Sequence, residues 1–133
     1  MPVCPSDFYS QAEVSLDNDI GEISYRCCIK NSYYAAYHRT HEVLSCEPIE
    51  YKGVGVHKSF IEYLEGEAHN YEPDIAKKSL KRLSMMLNQL RNARAQADYE
   101  LDDDISEGDA QMYLDASARV FSLCKEIDEE KVA

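Results

Sequence analysis

The chain has 133 residues, enough for one domain with a real core and too few for two comfortable ones. Its hydrophobic fraction of 44% excludes wholesale disorder, and no apolar run reaches the roughly 18–20 residues of a membrane span. A net charge of −11 argues against strong nonspecific nucleic-acid binding, because phosphate backbones reward positive charge.

The N-terminus lacks the basic and apolar regions of a signal peptide, so the expected location is cytoplasmic. Five glycines and four prolines are few, which favours long helices over a turn-rich sheet protein. The expected fold is all-α: one domain over 1–133, an up-and-down bundle of about five helices, with its core between 6 and 127. The five cysteines (Cys4, Cys27, Cys28, Cys46 and Cys124) form no CxxC pair and read as reduced, mostly buried thiols.

The first helix is predicted from about Ser6 to Leu16, with Phe8, Ala12 and Leu16 facing inward. Asp17-Asn18 breaks it. Asp19 with Glu22 three residues later resembles a capping box for the second helix, which should run to about Cys46 before Glu47-Pro48. That helix has two apolar stripes, one of Ile23, Cys27, Tyr34 and Tyr37, the other of Tyr25, Ile29, Ala36 and Val43. A helix apolar nearly all round belongs at the centre of a bundle. Arg26, Lys30, Asn31, His38 and His41 interrupt it.

Residues 49–56, with Gly53 and Gly55, read as a loop before a short third helix from His57 to Leu64, with Gly66 as its C-cap. A loop from Glu67 to Tyr71 should lead to Pro73 near the first turn of the fourth helix. This long helix is predicted from Ile75 to Asp98, with Leu83, Met86, Leu87, Leu90 and Ala97 inward. At about 100° per residue, Arg94 falls in the middle of that stripe. A buried guanidinium needs acceptors, so Arg94 should pair with the polar residues of the second helix or line a pocket. Lys77, Lys78, Lys81 and Arg82 make a basic patch early in this helix, and an acidic loop around Asp102, Asp103 and Asp104 follows it. Ser106 with Asp109 opens the fifth helix, which carries Met112, Leu114, Ala118, Phe121 and Leu123 inward and frays at Asp128-Glu129-Glu130.

Three segments together resemble the small HEPN-domain proteins. Tyr25-Arg26-Cys27-Cys28-Ile29 through Tyr33-Tyr34-Ala35-Ala36-Tyr37-His38 is similar to that family's "R-x-x-I-x-x-x-Y-Y-A-x-F-H" helix. Gly53-Val54-Gly55-Val56-His57 followed by Phe60-Ile61 resembles its glycine loop and the start of its short helix. Arg91 through Arg94 to Ala97-Asp98-Tyr99 resembles its "R-x-x-A-D-Y" ending. The matches come in the family's order and cover most of residues 7–125.

The resemblance implies an all-α homodimer tied to nucleotide or RNA chemistry. It also implies a toxin–antitoxin or accessory role beside a partner such as a minimal nucleotidyltransferase. Many members are metal-independent ribonucleases whose signature arginine is followed, four to six residues on, by a histidine near a helix end. Here Asp98 and Tyr99 stand in that window, and no histidine follows His69. If the chain is a ribonuclease, Arg94 would stabilise phosphate charge and His38 or His57 would be the surrogate acid–base residue. If it is a binding protein, the expected contacts are Arg94, Asp98, Tyr99, Arg91, Asn31 and Tyr34. A third reading makes Arg94, Asp98, Tyr34 and Asn31 a buried network of a structural helical adaptor. His38 and His41 could join Cys46 or His57 around a metal, but two helical histidines without a HExxH frame point instead to hydrogen-bonding or turn roles. No cofactor or metal is expected.

Overall fold

The computed structural model describes residues 2–132, and every regular element in them is a helix. The helices are α1 (Pro5–Asp17), α2 (Glu22–Val43), α3 (Val56–Glu65), α4 (Ala68–Tyr71), α5 (Lys77–Tyr99) and α6 (Glu107–Val132). There are six rather than five. The segment read as a loop before Pro73 contains the single turn of α4, and Pro73 precedes α5 instead of entering its first turn.

The bundle is built around α2, which packs on α1, α5 and α6. Its buried residues run round the helix: Cys28, Ile29, Ser32, Tyr33, Ala35, Ala36, Thr40 and Val43. The stripes expected from sequence are shifted. Ile23 is 58% exposed and Cys27 is half-buried, whereas Tyr33 and Cys28 are fully enclosed. With so many small and polar residues in this helix, hydropathy alone gives its phase little contrast.

Two cores result. The larger joins Tyr33, Leu64, Leu83, Leu87, Leu90 and Val120. The smaller joins Ala12, Cys28, Ile29, Ala93, Ala97, Ala110 and Leu114, and its alanines let the helices approach closely. Each fully buried leucine contributes about 1.5–3 kcal/mol of transfer free energy. In α6 the inward residues are Leu114, Ser117, Val120, Leu123, Cys124 and Ile127; Met112, expected inside, is half exposed. Of the five cysteines, Cys28 and Cys124 are buried, while Cys4 and Cys46 are exposed.

Helix ends are set by tertiary partners. Asp19 and Glu22 do not form the expected capping box. Gly21 turns the chain into α2 at φ 116°, and Asp19 accepts instead from the Gly21 N–H at 2.8 Å and the Tyr25 hydroxyl at 2.6 Å. α2 stops at Val43, short of Cys46, because the buried carboxylate of Glu72 captures the next amides: Ser45 N and Cys46 N both donate to it at 2.9 Å. Lys131 Nζ donates to the Val43 carbonyl, which holds α6 helical past the acidic residues expected to fray. The Ser106–Asp109 box at the start of α6 forms as the sequence predicts, with reciprocal bonds of 2.9 and 3.0 Å. Gly66 closes α3 with its N–H on Glu62 O, without a left-handed conformation.

Candidate functional site

The buried arginine of this protein is Arg26. It is 6% exposed and fully satisfied: Nη1 donates to Ala97 O at 2.9 Å, and Nη2 to Glu100 O at 3.1 Å and Asp103 O at 2.7 Å. Nε donates to Glu22 Oε2 at 3.1 Å, and Glu22 Oε1 in turn accepts from Ile105 N. Arg26 thus caps the C-terminus of α5 and fixes the acidic loop behind it, as a cation does well at the negative end of a helix. The sequence pattern instead groups it with Lys30, Asn31, His38 and His41 as polar residues of α2 that could face Arg94.

Arg94 points inward by helix phase but sits where the bundle opens. Its side chain keeps 20% exposure, as does that of Asp98 at 21%. Nε lies 2.8 Å from Asp98 Oδ2 with its N–H not aimed at the oxygen, so the pair is Coulombic rather than hydrogen-bonded. The guanidinium carbon is 5.5 Å from the Tyr34 ring centroid and 5.6 Å from that of Tyr99. Two aromatic rings therefore present their faces to the cation. Asn31 is engaged within its own helix, donating to Cys27 O at 3.1 Å, so the four-residue buried network does not form as expected.

Tyr34 links Arg94 to the histidines. Its ring lies 6.0 Å from that of His57 and 6.4 Å from that of His38. His57 enters from the first turn of α3, and its Nδ1 is 2.7 Å from the Tyr33 hydroxyl. Burial holds Tyr33 far above the ordinary tyrosine range. The phenol is the natural donor to Nδ1, and the ring proton then sits on Nε2. Burial first, then the charges of Arg94 and Arg91, push the pKa of His57 below its usual value. At neutral pH it is a neutral imidazole that can donate a hydrogen bond.

His38 stacks on Phe8 at 5.1 Å, and His41 lies flat on Phe60 at 4.0 Å. Cys46 Sγ turns to Tyr71 O. Among the described residues no three His, Cys, Asp or Glu side chains come together as a metal-binding group. The structure thus brings Arg94, Asp98, Tyr99, Tyr34, Arg91, His57 and His38 to one region. Arg91 also lines an open groove of about 400 Å³ between α3 and α5, of mixed charge, with Lys58, Lys81, Glu62 and Glu65. That volume is in the range of small-ligand sites. Tyr33, which orients His57, was missed because its position reads simply as core.

No protein-family model, curated protein or solved structure matches the chain. Among the described residues no helix is long and apolar enough to cross a membrane.

Proposed function

We propose that this chain is a HEPN-like accessory or toxin–antitoxin-type protein that binds RNA or a nucleotide at the Arg94 site. It works as a homodimer with a protein partner, for which the sequence resemblance suggests a minimal nucleotidyltransferase. One observation carries the reading: the Arg94 guanidinium lies over the rings of both Tyr34 and Tyr99 with Arg91 and His57 close by, rather than consumed in the core. Arginine on aromatic faces suits phosphate bound beside a stacked base.

The test is binding of a fluorescent single-stranded RNA and of a nucleoside triphosphate, each at two salt concentrations. Arg94→Ala should weaken binding at least about tenfold, as expected for loss of a charge-assisted contact, while leaving the melting temperature nearly unchanged. Equal affinity in the variant and the parent would overturn the reading.

The second reading is a metal-independent ribonuclease. What favours it is that His57 lies within the influence of both Arg91 and Arg94. RNA cleavage in EDTA, abolished by Arg94→Ala and by His57→Ala, would select it. A neutral histidine whose Nδ1 accepts a bond from a phenol offers an Nε2 hydrogen-bond donor but neither a free basic nitrogen nor an acidic proton, so binding is the leading reading.

A further inference from the structure

α5 has a second face, unrelated to Arg94. Met85 and Arg94 are nine residues apart, which at about 100° per residue sets them on opposite sides of the helix. Lys78, Lys81, Met85, Asn88, Asn92 and Gln96 follow one another along the outer side, and all are exposed. Met85 is 57% exposed at a point flanked by two grooves, one against α3 and one of about 380 Å³ against α6.

Along α5 itself charge is segregated by position, while Glu62 and Glu65 of α3 and Glu126 of α6 line the flanking grooves. Lys77, Lys78, Lys81 and Arg82 form the first turns, bordering a surface with Met85 and no acidic side chain. Asn88, Gln89 and Asn92 make an uncharged middle. At the far end Gln96 Nε2 donates to Asp103 Oδ2 at 3.1 Å, which draws the acidic loop onto the same side. The bonds from Arg26 to Glu100 O and Asp103 O hold that loop in place, so its carboxylates stand on a fixed support.

A strip that is basic at one end, neutral in the middle and acidic at the other is complementary to its own reverse. We propose that two copies of the chain pair through this face, α5 antiparallel to α5, about a two-fold axis beside Asn88 and Gln89. In that register Lys81 and Gln96 are equally far from the axis. Lys78 and Lys81 of each copy then meet Asp103 and Glu100 of the other. An unrelated acidic protein or a nucleic acid would satisfy only the basic half and be repelled by the acidic end. A second copy uses both. The inference rests on the homodimer in the proposed function and assigns its face, leaving the Arg94 site on the opposite side of the helix.

The test is sedimentation velocity of the full chain over a concentration series at low and physiological salt. The parent should be a dimer that weakens as salt rises. Lys78→Glu with Lys81→Glu, and separately Glu100→Lys with Asp103→Lys, should each weaken self-association at least about tenfold by setting like charges opposite one another. Mixing these two variants should restore a dimer, because every contact in the mixed pair is again between opposite charges. Should the loop variant lose helix content, Gln89→Glu, which sets two like charges beside the axis, replaces it as a disruptive variant. A monomeric parent would overturn both this inference and the homodimer. A dimeric parent whose reversal variants remain dimeric, or whose mixture does not re-associate, would overturn this face alone. RNA or nucleotide binding that is lost with Arg94→Ala would stand in either case.

Discussion

Arg26 Nη1 donates to the carbonyl of Ala97 across 71 residues of sequence, tying the second turn of α2 to the last turn of α5. Three carbonyls and one carboxylate converge on this one guanidinium, so it is the polar hub of the small-residue core. Arg94, by contrast, is partly exposed and makes one Coulombic pair.

Arg26→Met should therefore cost about 3–5 kcal/mol, since it leaves several acceptors without a donor near the core. Arg94→Ala should cost less, about 1 kcal/mol, because its ion pair with Asp98 is only partly buried and carries no aligned hydrogen bond. Urea denaturation of both variants measures the difference. Equal costs would mean that the α5 C-terminus does not depend on Arg26.

Glu72→Gln should destabilise by about 1–3 kcal/mol, because an amide offers one acceptor and turns its NH₂ toward the Ser45 and Cys46 donors. Amide hydrogen exchange at Ser45 and Cys46 should accelerate before the rest of α2 does. Unchanged protection at both would show that another acceptor replaces the carboxylate.

The histidines set the acid side of the stability curve. His38, His41 and His57 all have pKa values below the ordinary 6.5, each mainly through burial. Nearby charges modify this: Glu42 opposes it at His38, Glu47 opposes it at His41, and Arg94 and Arg91 add to it at His57. As pH falls from neutral, the unfolded chain takes up protons first, so stability drops through 6.5 toward the folded values and levels off below them. NMR titration should also show the His57 pKa rising in Arg94→Ala. A His57 value unchanged by that substitution would separate the two residues electrostatically.

Thiol reactivity should divide the cysteines. Burial pushes Cys28 and Cys124 up to about 11, so both should resist an aromatic disulfide reagent until the protein unfolds. Cys4 and Cys46 are exposed and should react in the native state. Rapid reaction at Cys28 would show that the α1–α2–α6 contact opens.

Much of the architecture could be read from residue order. Leu83, Leu87 and Leu90 recur at helical spacing, and Ser106 with Asp109 forms its own cap, because both signals are local and repeat with the helix. The same phase argument placed Arg94 inward, and the helix does turn it that way. Whether an inward arginine is buried depends on what the other helices put opposite it. Only the tertiary structure decided that Arg26 is buried, that Glu72 ends α2, and that Tyr33 meets His57. These bonds join residues 24 to 77 positions apart, where no sequence period relates the partners. Sequence by itself determined the long helices and the inward face of α5; that Arg94 keeps partial exposure on that face is a property of how the helices meet.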